Sequence, residues 1–351
     1  MKLTRRKALA SGFGAAMALP AQRLLAQRAR QVVVATTGGQ FSQHMRHVFW
    51  EPFTAETGIR IVEGNYTLAK HMAMKEAGRT EWDLGHPGLP QLGELMTRNA
   101  VERIDYGVVD RRQFPGAASD EYYIGFQYFS TNIVINTKRF PATGPRPAGW
   151  ADFWNVSKFP GPRSMRKQPF LTLEAALIAD GVPMDKLYPL DLDRAFKKLD
   201  QLKPHISVWW TTGAQSVDVI ASGEVDMGVA WDSRVSAGRS AGQPVETIWN
   251  EGAMLPSIHV VMAGAPNRPD TMKYLNYLGR ADRQAEMAKL NGSAPSNPAA
   301  LSLIEPSLAL TLCSHPDNVK QMFWFDAVAQ SYWRERLSSI SERFNVWIAR
   351  G

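Results

Sequence analysis

The chain has 351 residues, 44% hydrophobic and 21% charged, an ordinary globular balance with enough apolar material for two packed cores. Its formal charge of +7 is concentrated at the start: Lys2, Arg5, Arg6, Lys7 and Arg23 lie in the first 26 residues without an acid, which leaves 35 basic against 33 acidic residues beyond them. So even a balance removes the case for nucleic-acid binding, and a single cysteine, Cys313, excludes an internal disulfide and a cysteine-held zinc or iron–sulfur centre.

In chain order, "MKLTRRKALASGFGAAMALPAQRLLAQ" has a charged start, a short small-residue apolar stretch and residues suited to cleavage. It reads as an export signal over residues 1–26, cut after Ala26, and Thr4-Arg5-Arg6 followed by Leu9 is of the twin-arginine type. No later stretch approaches a membrane-spanning length, so the remainder is expected to be soluble in the periplasm. "QVVVATTGGQF" predicts a buried strand ending in a Gly-Gly turn, and "SQHMRHVFWEPFTAETG" a helix stopped by Gly58. "IRIVEGN", "LAKHMAMKEAG" and "EWDLGHP" continue as strand, helix and strand. This alternation predicts a doubly wound α/β sheet with its ligand at the carboxyl ends of the strands.

Tyr123 to Asn136 is one long β-rich run, and "GWADFWNVSKFPGPRSM" a turn-rich link to another strand. Two helices follow, "LTLEAALIADG" and "DLDRAFKKLDQLKP". A second α/β set comes next, in "HISVWW", "GAQSVDVIASG" and "VDMGVAW". "SIHVVMAGAPN" reads as a strand, and the rest, after about Arg268, as mainly helical. We expect two lobes, residues 27–130 with 264–351 and residues 131–263, with a small-molecule cleft between them.

The order of motifs resembles a known family. "PFTAETGIRI", "WADFWNVSKFPGPR", "LEAALIADG", "VWWTTGAQSVDVIASGEVDMGVAWDSR" and "GAPN" together resemble the polyamine-type (spermidine/putrescine) extracellular solute-binding proteins of bacterial ABC transporters. The resemblance runs from about residue 31 to the end and is most specific over residues 149–234. It implies the two-lobed, type II or Venus-flytrap fold of periplasmic binding proteins. It also implies a monomeric receptor, without cofactor or enzymatic activity, that closes on an amine-bearing ligand and hands it to an inner-membrane permease. In that family aromatic side chains enclose the ligand and carboxylates take its ammonium groups; Trp231 and Asp232 of "AWDSR" fill those places. The first strand departs from the pattern, ending in "TTGGQF" where spermidine binders have aromatic residues.

Several residues stand where a cleft is expected. Successive side chains on a strand point to opposite faces, so only one of Trp209 and Trp210 can reach it, and Trp210, nearer the strand end, is the expected wall. Asp232 is the expected ammonium partner. Thr212 and Gly213 start a helix whose free N–H groups could receive an anion, and Thr37, Gly38, Gly39 and Gln40 offer the same chemistry in the first lobe. His86, Tyr128 and Ser130 complete the set. Arg163 and Arg166 belong to a basic run that reads as a solvated face, with a role as partner of a ligand carboxylate as the alternative, and Asp83 reads as structural. An acid and helix N-termini in one cleft leave a polyamine, an ω-amino acid and an amino-phosphonate open. The alternative from another class is a periplasmic serine hydrolase using Ser240 of "GRSAG", although the strand that such a nucleophile turn requires is not evident before it.

Overall fold

A computed structural model describes residues 30–350, so the expected signal segment lies outside the described residues. Among them eleven strands join one sheet: β1 (Gln31–Thr36), β2 (Arg60–Asn65), β3 (Leu84–Gly85), β4 (Val101–Glu102), β5 (Tyr123–Asn136), β6 (Arg163–Arg166), β7 (Ile206–Trp210), β8 (Met227–Trp231), β9 (Val245–Met262), β10 (Ala294–Pro295) and β11 (Phe323–Trp324). The main path is β2-β1-β3-β9-β5-β8-β6-β7, with β10 beside β5 and β4 and β11 beside β9.

Two parallel blocks are thus carried on a central antiparallel ribbon. On one side β1 pairs parallel with β2 and β3, and on the other β6 pairs parallel with β7 and β8. β5 and β9, 14 and 18 residues long, run antiparallel between the blocks. Their register shifts between Gly125 and Gln127 and again between Thr131 and Ile133. At the second shift β9 carries extra residues, and Glu251 there adopts a left-handed φ of 62°. Glu251 also receives the backbone N–H of Trp150 and, through its carbonyl, the indole N–H of the same residue. The ribbon therefore bends where it passes from one block to the other.

Each block has its own apolar core. Val32, Val34, Phe49, Phe53, Tyr274 and Leu275 belong to the first, and Phe153, Leu173, Leu177, Leu199 and Met227 to the second. The helix expected after β1 is present from Gly39 to Thr57, with a π-helical stretch at Arg46–Trp50, and Gly58 ends it at φ 69°, a left-handed conformation that glycine adopts without a side-chain clash. The expected third strand shrinks to Leu84–Gly85, and Asp83 just before it accepts from the Val33 and Asn267 N–H groups through its carboxylate. The C-terminal helix Ala327–Ala349 packs against both parts. Its Trp333 donates to Glu174 and its Trp347 to Asp200, while Gly93 lies so close to Arg334 that a Cβ would meet that residue's backbone.

Candidate functional site

A cleft of about 590 Å³ opens at the carboxyl ends of β1, β3, β6 and β8. This is where the crossover topology of a parallel sheet leaves space. Thr37 and Gln40 follow β1, His86 follows β3, Arg166 ends β6 and Trp231 ends β8. Phe41, Phe170 and Ser257 add to the lining.

Arg166 and Trp231 form the best-defined wall. The Arg166 guanidinium lies 4.8 Å from the Trp231 ring centre and 5.4 Å from that of Trp210. The two indoles meet edge to face at 5.7 Å. Burial lowers the Arg166 pKa to about 10, which leaves the group charged at neutral pH. Arg234 lines the same cleft from the first turn of the helix Asp232–Ser240. Among the described residues neither arginine has a carboxylate within ion-pair distance, and no Asp or Glu lines the cleft. Two unpaired guanidinium groups and a helix N-terminus favour an anionic group on the ligand.

On the opposite wall His86 stacks on Phe41 at 4.9 Å, and its Nε2 shares a 2.8 Å hydrogen bond with the Ser257 hydroxyl. Burial pushes its pKa down to about 4, and burial together with His86, 5.0 Å away ring to ring, holds the His259 imidazole well below its usual range. Both rings are neutral in the physiological range.

Of the expected site residues, Thr37, Gln40, His86 and Trp231 line the cleft. The others need correction. Trp210 is fully buried and supports Trp231 from behind rather than forming the wall. Trp209, half-buried, points the other way onto Phe344 and Trp347. Thr212 is an ordinary cap accepting from the Gln215 N–H. Gly213 makes room for Trp231, since a Cβ there would stand 2.6 Å from its ring. Gly38 and Gly39, at φ 74° and 66°, form the turn that presents Thr37 and Gln40 but do not themselves line the cleft. Tyr128 is buried, with its hydroxyl donating to the Pro115 carbonyl. Ser130 is buried, and its N–H donates to Asp232 at 2.9 Å. Asp232 turns inward to meet that N–H and sits beside Cys313, and burial raises its carboxyl to about 6.

Arg166 is the residue most misjudged as surface. Its neighbour in the same basic run, Arg163, is fully buried and donates to the carbonyls of Phe153, Gly161 and Phe159, so it holds the chain rather than a ligand. Gln127, Phe129 and Thr131 line the cleft from β5 and were missed by one residue of strand parity. The hydrolase reading fails on geometry: Ser240 ends a helix and follows no strand, so "GRSAG" is not a strand–turn–helix nucleophile elbow.

Two α/β halves carried on a shared ribbon, with an aromatic, arginine-bearing cleft between them, define the class of two-lobed solute receptors. The chain belongs to the bacterial extracellular solute-binding protein family, whose model matches residues 49–308. It is similar to the gamma-aminobutyric acid-binding protein of Pseudomonas aeruginosa, with 30% identity over 348 residues, 96% of this chain and 95% of that one. It is similar also to an ABC transporter substrate-binding protein from Bradyrhizobium japonicum (TM-score 0.84, 32% identity, 91% of this chain and 99% of the other). A solved GABA receptor resembles it with TM-score 0.83 and 34% identity, over 92% of this chain and 98% of the other. The chain is a solute-binding receptor for ABC import.

Proposed function

We propose that the ligand is an ω-amino acid, an amine at one end and a carboxylate at the other, and that the carboxylate sits at the pole formed by Arg166, Arg234 and Trp231. The observation that carries this is the pair of arginines in a cleft lined by no acid. A diamine would bring two ammonium groups toward two guanidinium groups with nothing to compensate. Each such pair costs roughly 1–3 kcal/mol at about 6 Å for effective dielectric constants between 80 and 20. An amino acid of this type carries its own counter-charge. The gamma-aminobutyric acid named for two of the similar proteins supports the same reading.

The receptor acts in the periplasm after export by its twin-arginine leader. It is a monomer, performs no covalent chemistry and delivers its ligand to an inner-membrane permease. His86, Thr37 and Gln40 contact the ligand from one side and Trp231 from the other. A ligand that touches both lobes lowers the free energy of the closed state, and closure is driven by that difference alone.

A thermal-shift series tests the ligand class, because binding to the native state alone raises the melting temperature. Four- and five-carbon ω-amino acids should raise it in a concentration-dependent way, and diamines of equal length should not. A rise with diamines alone would reverse the assignment.

A further inference from the structure

β5 presents Gln127, Phe129 and Thr131 to the cleft, every second residue of one strand face. Thr131 is opposite Trp231 in the β5–β8 ladder, so this row begins at the arginine pole. At about 3.3 Å per residue, Phe129 lies roughly 7 Å and Gln127 roughly 13 Å further along. The Phe129 ring meets the Trp231 ring edge on at 6.5 Å, so the aromatic surface continues from the pole along the strand. Thr131 Oγ1 and Gln127 Oε1 are buried and have no hydrogen-bond partner among the described residues, and Thr131 is only 5% exposed. Buried acceptors are ordinarily paired, and two left open in one row of a ligand cleft await a donor.

Resting on the ω-amino acid reading above, we propose that the ligand's ammonium is received by this row, over the Phe129 ring and with Gln127 Oε1 as acceptor, and that no carboxylate takes part. A four-carbon ω-amino acid spans roughly 5 Å from carboxylate carbon to nitrogen when extended. That length carries the ammonium from the arginine pole to Phe129, within reach of the Gln127 amide. An aromatic face and an amide oxygen attract a cation without neutralising it. The ligand must therefore supply its own negative charge, which admits the zwitterion and rejects the diamine. Gln127 and Phe129 then distinguish an amino acid from the plain acid of equal length.

The test is calorimetric titration of the purified receptor with 4-aminobutyrate and with butyrate, which lacks the amine. Wild type should prefer the amino acid by at least about tenfold. Gln127→Ala should remove most of that preference by weakening 4-aminobutyrate while leaving butyrate unchanged. Gln127→Glu is a second variant that should gain affinity for the four-carbon diamine, because a carboxylate would then stand where the amide was. Equal weakening of both acids, or no change in either, would overturn the assignment of the row while leaving the arginine pole intact. Failure of the diamine to bind Gln127→Glu would count against it in the same way. A wild-type receptor that binds 4-aminobutyrate and butyrate equally would also overturn it, and one that binds neither would overturn the ligand class and this assignment together.

Discussion

Asp232 and Trp231 are adjacent, yet one faces the protein interior and the other the cleft. Trp231 ends β8 and lies against Arg166, while Asp232 begins the next helix and turns inward to the Ser130 N–H. The carboxyl is therefore a tie between β5 and the helix that carries Arg234. Asp232→Ala should leave that N–H buried without a partner and cost about 1–3 kcal/mol of stability. Ligand affinity should change by less than about threefold in the fraction that stays folded. Denaturant unfolding and calorimetry on one sample separate the two effects, and loss of binding at unchanged stability would return Asp232 to the site. Gly213→Ala should do the opposite. Its new methyl would press on the Trp231 ring, which lies 2.6 Å from that position, so affinity should fall by roughly tenfold while the helix start tolerates alanine. Wild-type affinity in that variant would mean that Trp231 is not held in place by this contact. The residue scale is where sequence reading erred by single steps. Tyr128 and Ser130 for their neighbours are parity errors, whereas Trp210 lies buried behind Trp231, a cleft residue already expected from the sequence. β5 is buried on both faces for most of its length, so its sequence carries no alternation to show which face meets the cleft.

At the scale of elements, the helix Ala327–Ala349 is held to the second block through a buried carboxyl. Tyr188 Oη and Trp333 Nε1 both donate to Glu174 Oε1, at 2.6 and 2.7 Å, and Oε2 has no partner among the described residues. Burial pushes the Glu174 carboxyl up to about 7. In the folded state it keeps a proton that the unfolded chain has already released, so its contribution is most favourable below about 4.5 and declines as pH rises toward 7. Asp232 acts in the same direction between its usual carboxylate range and about 6. Between pH 6 and 7 the Glu174 contribution remains, at about 1.4 kcal/mol per pH unit as an upper bound. The melting temperature of Glu174→Gln should therefore lack the fall that wild type shows across that interval; parallel curves for the two proteins would remove Glu174 as the source. The order of strands and helices was legible, because Gly58, the apolar runs and the amphipathic pattern of Leu192–Leu202 are local signals. The partner of the C-terminal helix was not. Trp333 and Glu174 are far apart in sequence, and no periodicity records that they meet.

For the molecule as a whole, the long β5–β9 ribbon does two things at once. It joins the parallel blocks, and through Gln127, Phe129 and Thr131 it forms the floor of the cleft between them. Strand ends and crossover order place the cleft, but the sign of its charge follows only from the side chains that converge there. Arg166 looked like a solvated face because its run also contains Arg163, Lys167 and no apolar alternation. In the fold it lines the cleft against Trp231. An unpaired cation in a partly buried position costs the empty receptor stability and is offset when a carboxylate arrives. The most direct test is a calorimetric titration of wild type and Arg166→Met with 4-aminobutyrate and with the four-carbon diamine, alongside the melting temperatures of the empty proteins. Wild type should bind the amino acid and not the diamine. Arg166→Met should lose at least about a hundredfold in affinity, corresponding to about 2.7 kcal/mol, while melting no lower than wild type. Wild-type affinity in Arg166→Met, or a wild type that prefers the diamine, would contradict the account.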